Sequence, residues 1–559
     1  MELTIEEAFR RGDRAYKEGN INEADKFFSA VLGAFPEHPL ANYKLGIMAV
    51  EIGRASKAIS LLHMATKADG SKLDFWLNYI DLLIKLGLRR DAKDALSQAK
   101  KNGHSGSSIE ILDEKLSGLS KAKSKSKQDV PLFENQKKFL LELYHQNKFE
   151  KVLDAAKQLK DDFPTSIFLL NLMGAASSSI GKFDNAISFY QEALRIKPDF
   201  AEGWSNLGSS FQLKKQLDEA VGCYRKALKI QPNYVEAIYN LGNAFLEKGE
   251  LDEAIGFYRE VLKLNPDYAD AYNNMGNAQQ DLGNMIEAKN CYKKTLEINP
   301  KYAEALYNLH STSDQISEAR DYLKRCLEIN GNHLKAKLTL AALEVFEGRE
   351  EFYNSFLNSD LKDHHFVRSI KWYMSLQNKP KVYFNRWNFF KDLIKHSDQS
   401  RPFYEFGVWR GEAFKYLIKF FGKGYGFDTF EGLPEKWHDT DSGTYSGDGR
   451  VPDIKGGEFF VGKFEDTLPE FFLKKRPMAS LINFDADLYS STKCALDHSY
   501  SVIDNKTVLI FDEFINNKNW ELDEYKALND FCAENSYDYT VLAVSFFTKQ
   551  VAIKLIKMP

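Results

Sequence analysis

Along the first two thirds of the chain, small and aromatic positions return in phase every 34 residues. Ala186, Ala220, Ala254 and Ala288 form one series, Tyr190, Tyr224, Tyr258 and Tyr292 a second, and Gly174, Gly208, Gly242 and Gly276 a third. A step of that size holds one pair of helices, with small residues where two helices approach and tyrosines filling the gap between repeats. From about Lys379 the periodicity stops. Apolar runs at 403–408, 424–428, 458–462, 480–485 and 507–512 predict strands, and 538–546 with 549–556 predict a terminal hairpin. Helical patterns separate the early runs, which implies a mostly parallel sheet.

Pro164, Pro198, Pro232, Pro266 and Pro300 keep the same step, each where the second helix of a unit must end. Together with the Ala, Tyr and Gly series they resemble the tetratricopeptide repeat (TPR) family. Weaker copies run through Ala24, Phe28 and Pro36, through Ala58 and Leu62, through Ala92 and Leu96, and through Phe139 and Leu143. A last copy starts near Ala303. Its Ala319 arrives three residues early, so shortened helices are expected there. The resulting plan is N-terminal repeats over 1–104, a basic Ser/Lys linker over 105–131 and a main array over 132–332. Capping or connecting helices follow over 333–378, and an α/β domain over 379–559. The linker reads as solvated, because its lysines and serines are not interleaved with aromatics.

A TPR stack curls into a superhelix whose concave face takes extended peptides or partner domains. Asn206, Asn240, Asn274 and Asn308 recur at the same 34-residue step. Asparagine is a poor helix former. Its side chain offers a donor and an acceptor, so a column of them can hold a peptide backbone without reading its sequence. The column resembles the asparagine ladder in the TPR domain of O-linked N-acetylglucosamine transferase, which implies a protein or peptide partner on the concave face.

The chemistry-bearing residues lie after the predicted strands. Glu405-Phe406-Gly407 leads to Gly411, and Asp428 follows Gly407 by 21 residues. Glycines just after a strand let a ligand approach the backbone, and an acid about 20 residues on is where a doubly wound site holds a ribose diol. Four further segments follow. They are Asp428-Thr429-Phe430-Glu431-Gly432, Phe464-Glu465-Asp466-Thr467, Asp485-Ala486-Asp487-Leu488-Tyr489 and Asp512-Glu513. In this order and spacing, residues 385–556 resemble the macrocin O-methyltransferase (TylF-type) family of class I methyltransferases. The resemblance implies a multidomain chain, an all-α TPR solenoid followed by an α/β Rossmann-like domain that uses S-adenosylmethionine (SAM) to methylate a sugar hydroxyl of a glycan or glycoconjugate. Glu405, Gly407, Gly411, Asp428, Thr429 and Phe464 fall at its cofactor positions, and Asp485, Asp512 and Glu513 where that family binds Mg²⁺. Carboxylates at neighbouring strand ends are also suitable hard ligands for that ion. The ion would activate the acceptor oxygen, giving Asp485 a catalytic part. His438, in a polar loop, is the candidate proton acceptor. Asp487 is assigned to orienting the helix that follows. The alternatives are methylation of a protein or peptide held by the repeats, and a repeat scaffold with an inactive methyltransferase domain.

Composition narrows this picture slightly. Lys and Arg total 75 against 79 Asp and Glu, a net charge of −4, so no basic excess points to nucleic acid or an anionic membrane. Five cysteines without a C-x-x-C pair argue against a disulfide framework and structural zinc. The first residues lack an apolar core, and no run suits a membrane span. A cytoplasmic protein is the expectation.

Overall fold

The computed structural model describes residues 3–121, 132, 134–438, 440, 442–444, 446, 447 and 449–558. Two compact units divide the chain, Met1–Ala244 and Phe245–Pro559.

The first unit is a helical solenoid. Three helix pairs occupy 5–101, and further pairs begin with Glu134–His145 and Phe149–Lys160. Local chemistry sets the helix starts: the Thr4 hydroxyl and the Asn20 side chain accept the amides of Glu7 and Glu23. Packing within a pair explains the 34-residue signature. Gly208 sits so close to Tyr224 that a Cβ would lie 2.7 Å from the ring, and the phenol donates to Ser209 Oγ and Gln212 Oε1. Tyr190, Tyr224 and Tyr292 therefore fill the gap between the two helices of their own repeats, against Gly174, Gly208 and Gly276, not between repeats as expected. The placement follows because each lies one helical turn after the buried alanine, on the same face.

The linker expectation is corrected over 107–121. Ser107–Lys121 is a helix that buries Ile109, Leu112 and Leu116 in the core shared with Leu73–Lys85 and Arg89–Lys101. Their spacing of three and four is an apolar stripe, which the basic composition around it obscured. The rest of the basic segment, 122–131, lies outside the described residues.

In the second unit the repeats continue through Ala269–Asp281 with Met285–Ile298 and Ala303–Ser311 with Ile316–Ile329. Only the first helix of the last pair is short, at 9 residues against 14, which corrects the expectation that both shrink. Helices Leu334–Phe346, Glu351–Leu357 and His365–Ser375 share one core with the α/β region, through Ala341, Tyr353 and Trp372 against Phe514 and Phe546.

The α/β region is built on one mixed sheet. Its strands are β1 (Lys381–Tyr383), β2 (Phe403–Phe406), β3 (Gly424–Asp428), β4 (Gly457–Val461), β5 (Leu481–Phe484), β6 (Val508–Phe511), β7 (Tyr537–Ser545) and β8 (Gln550–Lys557). Their order is β1-β7-β8-β6-β5-β2-β3-β4. All neighbours are parallel except β8, which is antiparallel to both β6 and β7. The edge strand β1 had no counterpart in the sequence expectation.

Strand register levels the functional positions. Phe460, Phe427, Phe406, Phe484 and Phe511 lie side by side across β4, β3, β2, β5 and β6. Their rings stack at centroid distances of 5.1, 5.1, 5.4 and 4.8 Å along that row. Stacked aromatic pairs of this kind fix register. The residue after each phenylalanine of β3, β2, β5 and β6 is Asp428, Gly407, Asp485 and Asp512, respectively.

Candidate active site

These four residues line one cleft, together with Arg386, Trp409, Thr429, Phe464, Asp487 and Glu513. Of the residues expected to hold a cofactor, Gly407, Asp428, Thr429 and Phe464 meet there.

Asp428 organises the cleft floor. One carboxylate oxygen accepts the amides of Val408 and Trp409, both at 2.7 Å, and the other accepts the Phe430 amide at 2.6 Å. Thr429 Oγ1 donates to the Gly432 carbonyl at 3.1 Å and so closes the next turn. Phe464 begins the helix Phe464–Leu473 and meets the Phe406 ring edge-on at 5.8 Å. Gly407 adopts φ +90°, and a Cβ there would overlap the carbonyl oxygen of Asp485. Two expected residues stand off the cleft lining. Glu405 is buried within β2, where Asn483 Nδ2 donates to Oε1 at 3.0 Å. Burial pushes its pKa up to about 8, so the neutral acid persists through neutral pH. Gly411 caps the helix Glu412–Phe421 and packs towards Pro452 and Ile454.

His438 is also outside the lining. Its Nε2 lies 2.7 Å from Asp523 Oδ2, so that ring nitrogen is already engaged. Asp487 corrects its own expectation in the other direction. The helix Tyr489–Ser499 is preceded by Leu488 and has no side-chain cap, while the Asp487 carboxylate lines the cleft. Burial, with Glu513 and Asp512 nearby, pushes its pKa up to about 8. Asp485 is likewise raised well above its ordinary value, by burial first and then by Asp512 and Asp487. The Asp485-Ala486-Asp487 spacing carried the signal for this pair.

The three carboxylates expected to hold Mg²⁺ do not form a ready ligand set. Asp512 accepts from Arg386 at 3.0 Å and from Gln550 Nε2 at 2.6 Å. Both oxygens of Glu513 accept from Lys549 Nζ, at 3.0 and 2.7 Å. Among the described residues, no group of three His, Cys, Asp or Glu side chains is arranged to hold a metal ion. The oxygen donors are of the right kind, but two of the three already neutralise a cationic side chain, so the residues present do not fit the ion. The Arg386 guanidinium is the central cation. Burial alone would lower its pKa; Asp512, Asp485, Asp281 and Glu513 outweigh that and hold it above its ordinary value. Sequence reasoning missed Arg386 because it lies 126 residues from Asp512.

The asparagine column is half-buried at all four positions. Asn206 Nδ2 donates to Asn171 Oδ1 at 3.0 Å, and Asn308 Nδ2 to Asn273 and Asn277 at 3.2 and 3.0 Å. At these two positions one amide face joins neighbouring repeats.

Comparison with known proteins bears on the helical part. Models described as TPR repeat match residues 178–215, 211–249 and 242–283, and models described as tetratricopeptide repeat match 269–302 and 9–72. The chain therefore carries tetratricopeptide repeats. The PEX5-related protein of Homo sapiens is 27% identical over 203 residues, 36% of this chain; the chain spans 30% of that relative's length. Similar solved structures include MamA (24% identical, 31% of this chain and 99% of that one, TM-score 0.28). YrrB, described as a TPR protein with an unusual peptide-binding site, is 21% identical over 33% of this chain and 96% of its own, with TM-score 0.28. The pilF protein of Pseudomonas aeruginosa is 16% identical over 37% and 95%, with TM-score 0.33. No helix among the described residues is long and apolar enough to cross a membrane.

Proposed function

We propose that the α/β region is a SAM-dependent O-methyltransferase acting on a sugar hydroxyl of a glycan or glycoconjugate, joined to a TPR array that holds a protein or peptide. The observation that carries this reading is the level row of Asp428, Gly407, Asp485 and Asp512 at the C-terminal ends of adjacent strands. Strand order reverses at β2, between β3 and β5. Open α/β sheets take their ligands in the crevice at such a switch point. This topology also supports a Rossmann-like class I fold.

The residues suit SAM. Gly407 brings the backbone to the cleft lining, and the Phe464 ring offers an apolar face in the same cleft. Asp428 and Thr429 hold the floor on which a ribose would rest. SAM, when bound, supplies a sulfonium methyl group to an attacking oxygen. Asp485 and Asp487 accept hydrogen bonds from acceptor hydroxyls, which favours a polyhydroxylated substrate. The ionised fraction of Asp487, the minor form at neutral pH because its pKa is raised to about 8, takes the proton of the attacking hydroxyl on a carboxylate oxygen. Alignment of the two reactants in the cleft provides much of the acceleration. Arg386 and Lys549 balance the charge of Asp512 and Glu513 beside the reacting groups.

The test is transfer of labelled methyl from SAM to a panel of oligosaccharides and glycopeptides by the full chain. Label recovered as an O-methyl sugar supports the proposal. Label recovered only in amino-acid side chains favours the protein-acceptor alternative, and no label in either class removes the enzymatic reading.

A further inference from the structure

The segment that carries Arg386 is held from the repeat side. Trp387 Nε1 donates to the Gln280 carbonyl at 2.7 Å, and Asn385 Nδ2 donates to the Ser311 carbonyl at 2.8 Å. Asn388 Nδ2 donates to Asp314 at 3.1 Å. Gln280 and Ser311 lie in the last turns of the first helices of two successive repeats, whose terminal carbonyls have no donor within the helix. A Cβ on Gly283 would lie 3.1 Å from the Trp387 ring, so that turn fits closely over the indole. Between these anchors Arg386 points into the cleft and meets Asp512. A second cleft residue is braced in the same way. The indole of Trp409 packs on the turn at Gly249, where a Cβ would lie 2.7 Å from it.

We propose that the repeats between residues 245 and 314 are a working part of the cleft: through Asn385 and Trp387 they hold Arg386 against Asp512, and the α/β region presents a charge-balanced site only while those ties are made. Arg386 is thus a positioning residue set by the solenoid. Without it, Asp485, Asp487, Asp512 and Glu513 face one another with Lys549 paired to Glu513, and the strand-end loop after β6 loses one of its ties, that from Gln550 to Asp512 remaining. The proposal rests on the cleft's construction and stands apart from the methyl-transfer reading.

Amide hydrogen exchange on the full chain tests it. Asn385→Asp keeps the Oδ1 that accepts the Asn388 amide at 2.9 Å and removes the donor to Ser311. Trp387→Phe keeps a ring and removes the donor to Gln280. In the double variant, exchange is expected to be about tenfold faster at 384–390 and at 511–517, with repeats 183–230 unchanged. Arg386→Gln should speed exchange at 511–517, and Arg386→Lys, which keeps the charge, should restore protection. Wild-type rates at 511–517 in the double variant overturn the proposal, whether or not 384–390 loosens, because the ties would then be packing alone. Equal loss of protection in Arg386→Lys and Arg386→Gln also overturns it. If the double variant fails to fold, the two single variants and the Arg386 pair carry the same comparison. A SAM titration run alongside separates the two ideas. A wild-type chain that does not bind SAM refutes the methyltransferase reading and leaves the exchange result standing.

Discussion

Gly407 and Asp485 meet so closely at the ends of β2 and β5 that a Cβ on the glycine would overlap the aspartate's carbonyl oxygen. The same glycine sits at φ +90°, which side-chain-bearing residues rarely adopt. Gly407→Ala therefore combines a backbone penalty with a clash that only strand movement can relieve. It should cost at least about 2 kcal/mol in denaturant unfolding of the α/β region. It should also weaken SAM binding measured by calorimetry. Near-wild-type values in both would show that the turn tolerates a side chain.

Two glycines in the solenoid should respond in opposite directions. A Cβ on Gly208 would lie 2.7 Å from the Tyr224 ring, whereas Gly222 has nothing within 4 Å and lies inside the helix Leu217–Ile230. Gly208→Ala should destabilise the array by about 1–3 kcal/mol through overpacking. Gly222→Ala should stabilise it by about 0.5–1 kcal/mol through helix propensity. Thermal melts of the two variants check the pair, and the same sign for both would contradict the packing scheme.

Glu405 should make stability fall with rising pH. Its folded pKa of about 8 lies above its ordinary 4.5, because burial disfavours the charged form. The folded state holds more protons than the unfolded chain between those values. The stability is fully present below about 4.5 and is lost as pH rises to about 8. Glu405→Gln removes the titration and keeps an acceptor for Asn483. Its stability relative to wild type should improve by about 1 kcal/mol per pH unit across that window, read from denaturation at about pH 5, 6.5 and 8. A pH-independent difference would contradict the assignment.

The repeats were legible because each periodic residue answers to one partner at a fixed step, as Tyr224 does to Gly208. Strands β2 to β8 were legible within two residues because apolar runs mark them. The three-residue β1 has no such run, and the Ile109, Leu112 and Leu116 stripe was hidden in basic surroundings. In the cleft, the acids at strand ends could be read from the motifs. Their cations could not. Arg386 reaches Asp512 across 126 positions and Lys549 reaches Glu513 across 36, and no local pattern says which cation meets which carboxylate.

Those two cations set an expectation for Mg²⁺. With Asp512 and Glu513 paired, the unliganded chain should bind Mg²⁺ at about a millimolar or more weakly, since the ion must displace both side chains and dehydrate. Replacing Arg386 and Lys549 together by Ala should tighten binding, and EDTA should leave SAM affinity of the wild type unchanged. Micromolar Mg²⁺ binding by the wild type would restore the three-carboxylate ligand set expected from the sequence.

Whether the cleft takes SAM decides the methyltransferase reading, and calorimetric titration of the full chain with SAM measures that directly. Saturable binding at one site per chain is expected, weakened about 10- to 150-fold in Asp428→Asn, which disturbs the acceptor of three backbone amides on the cleft floor. No binding by the wild type, or equal binding by Asp428→Asn, would contradict it.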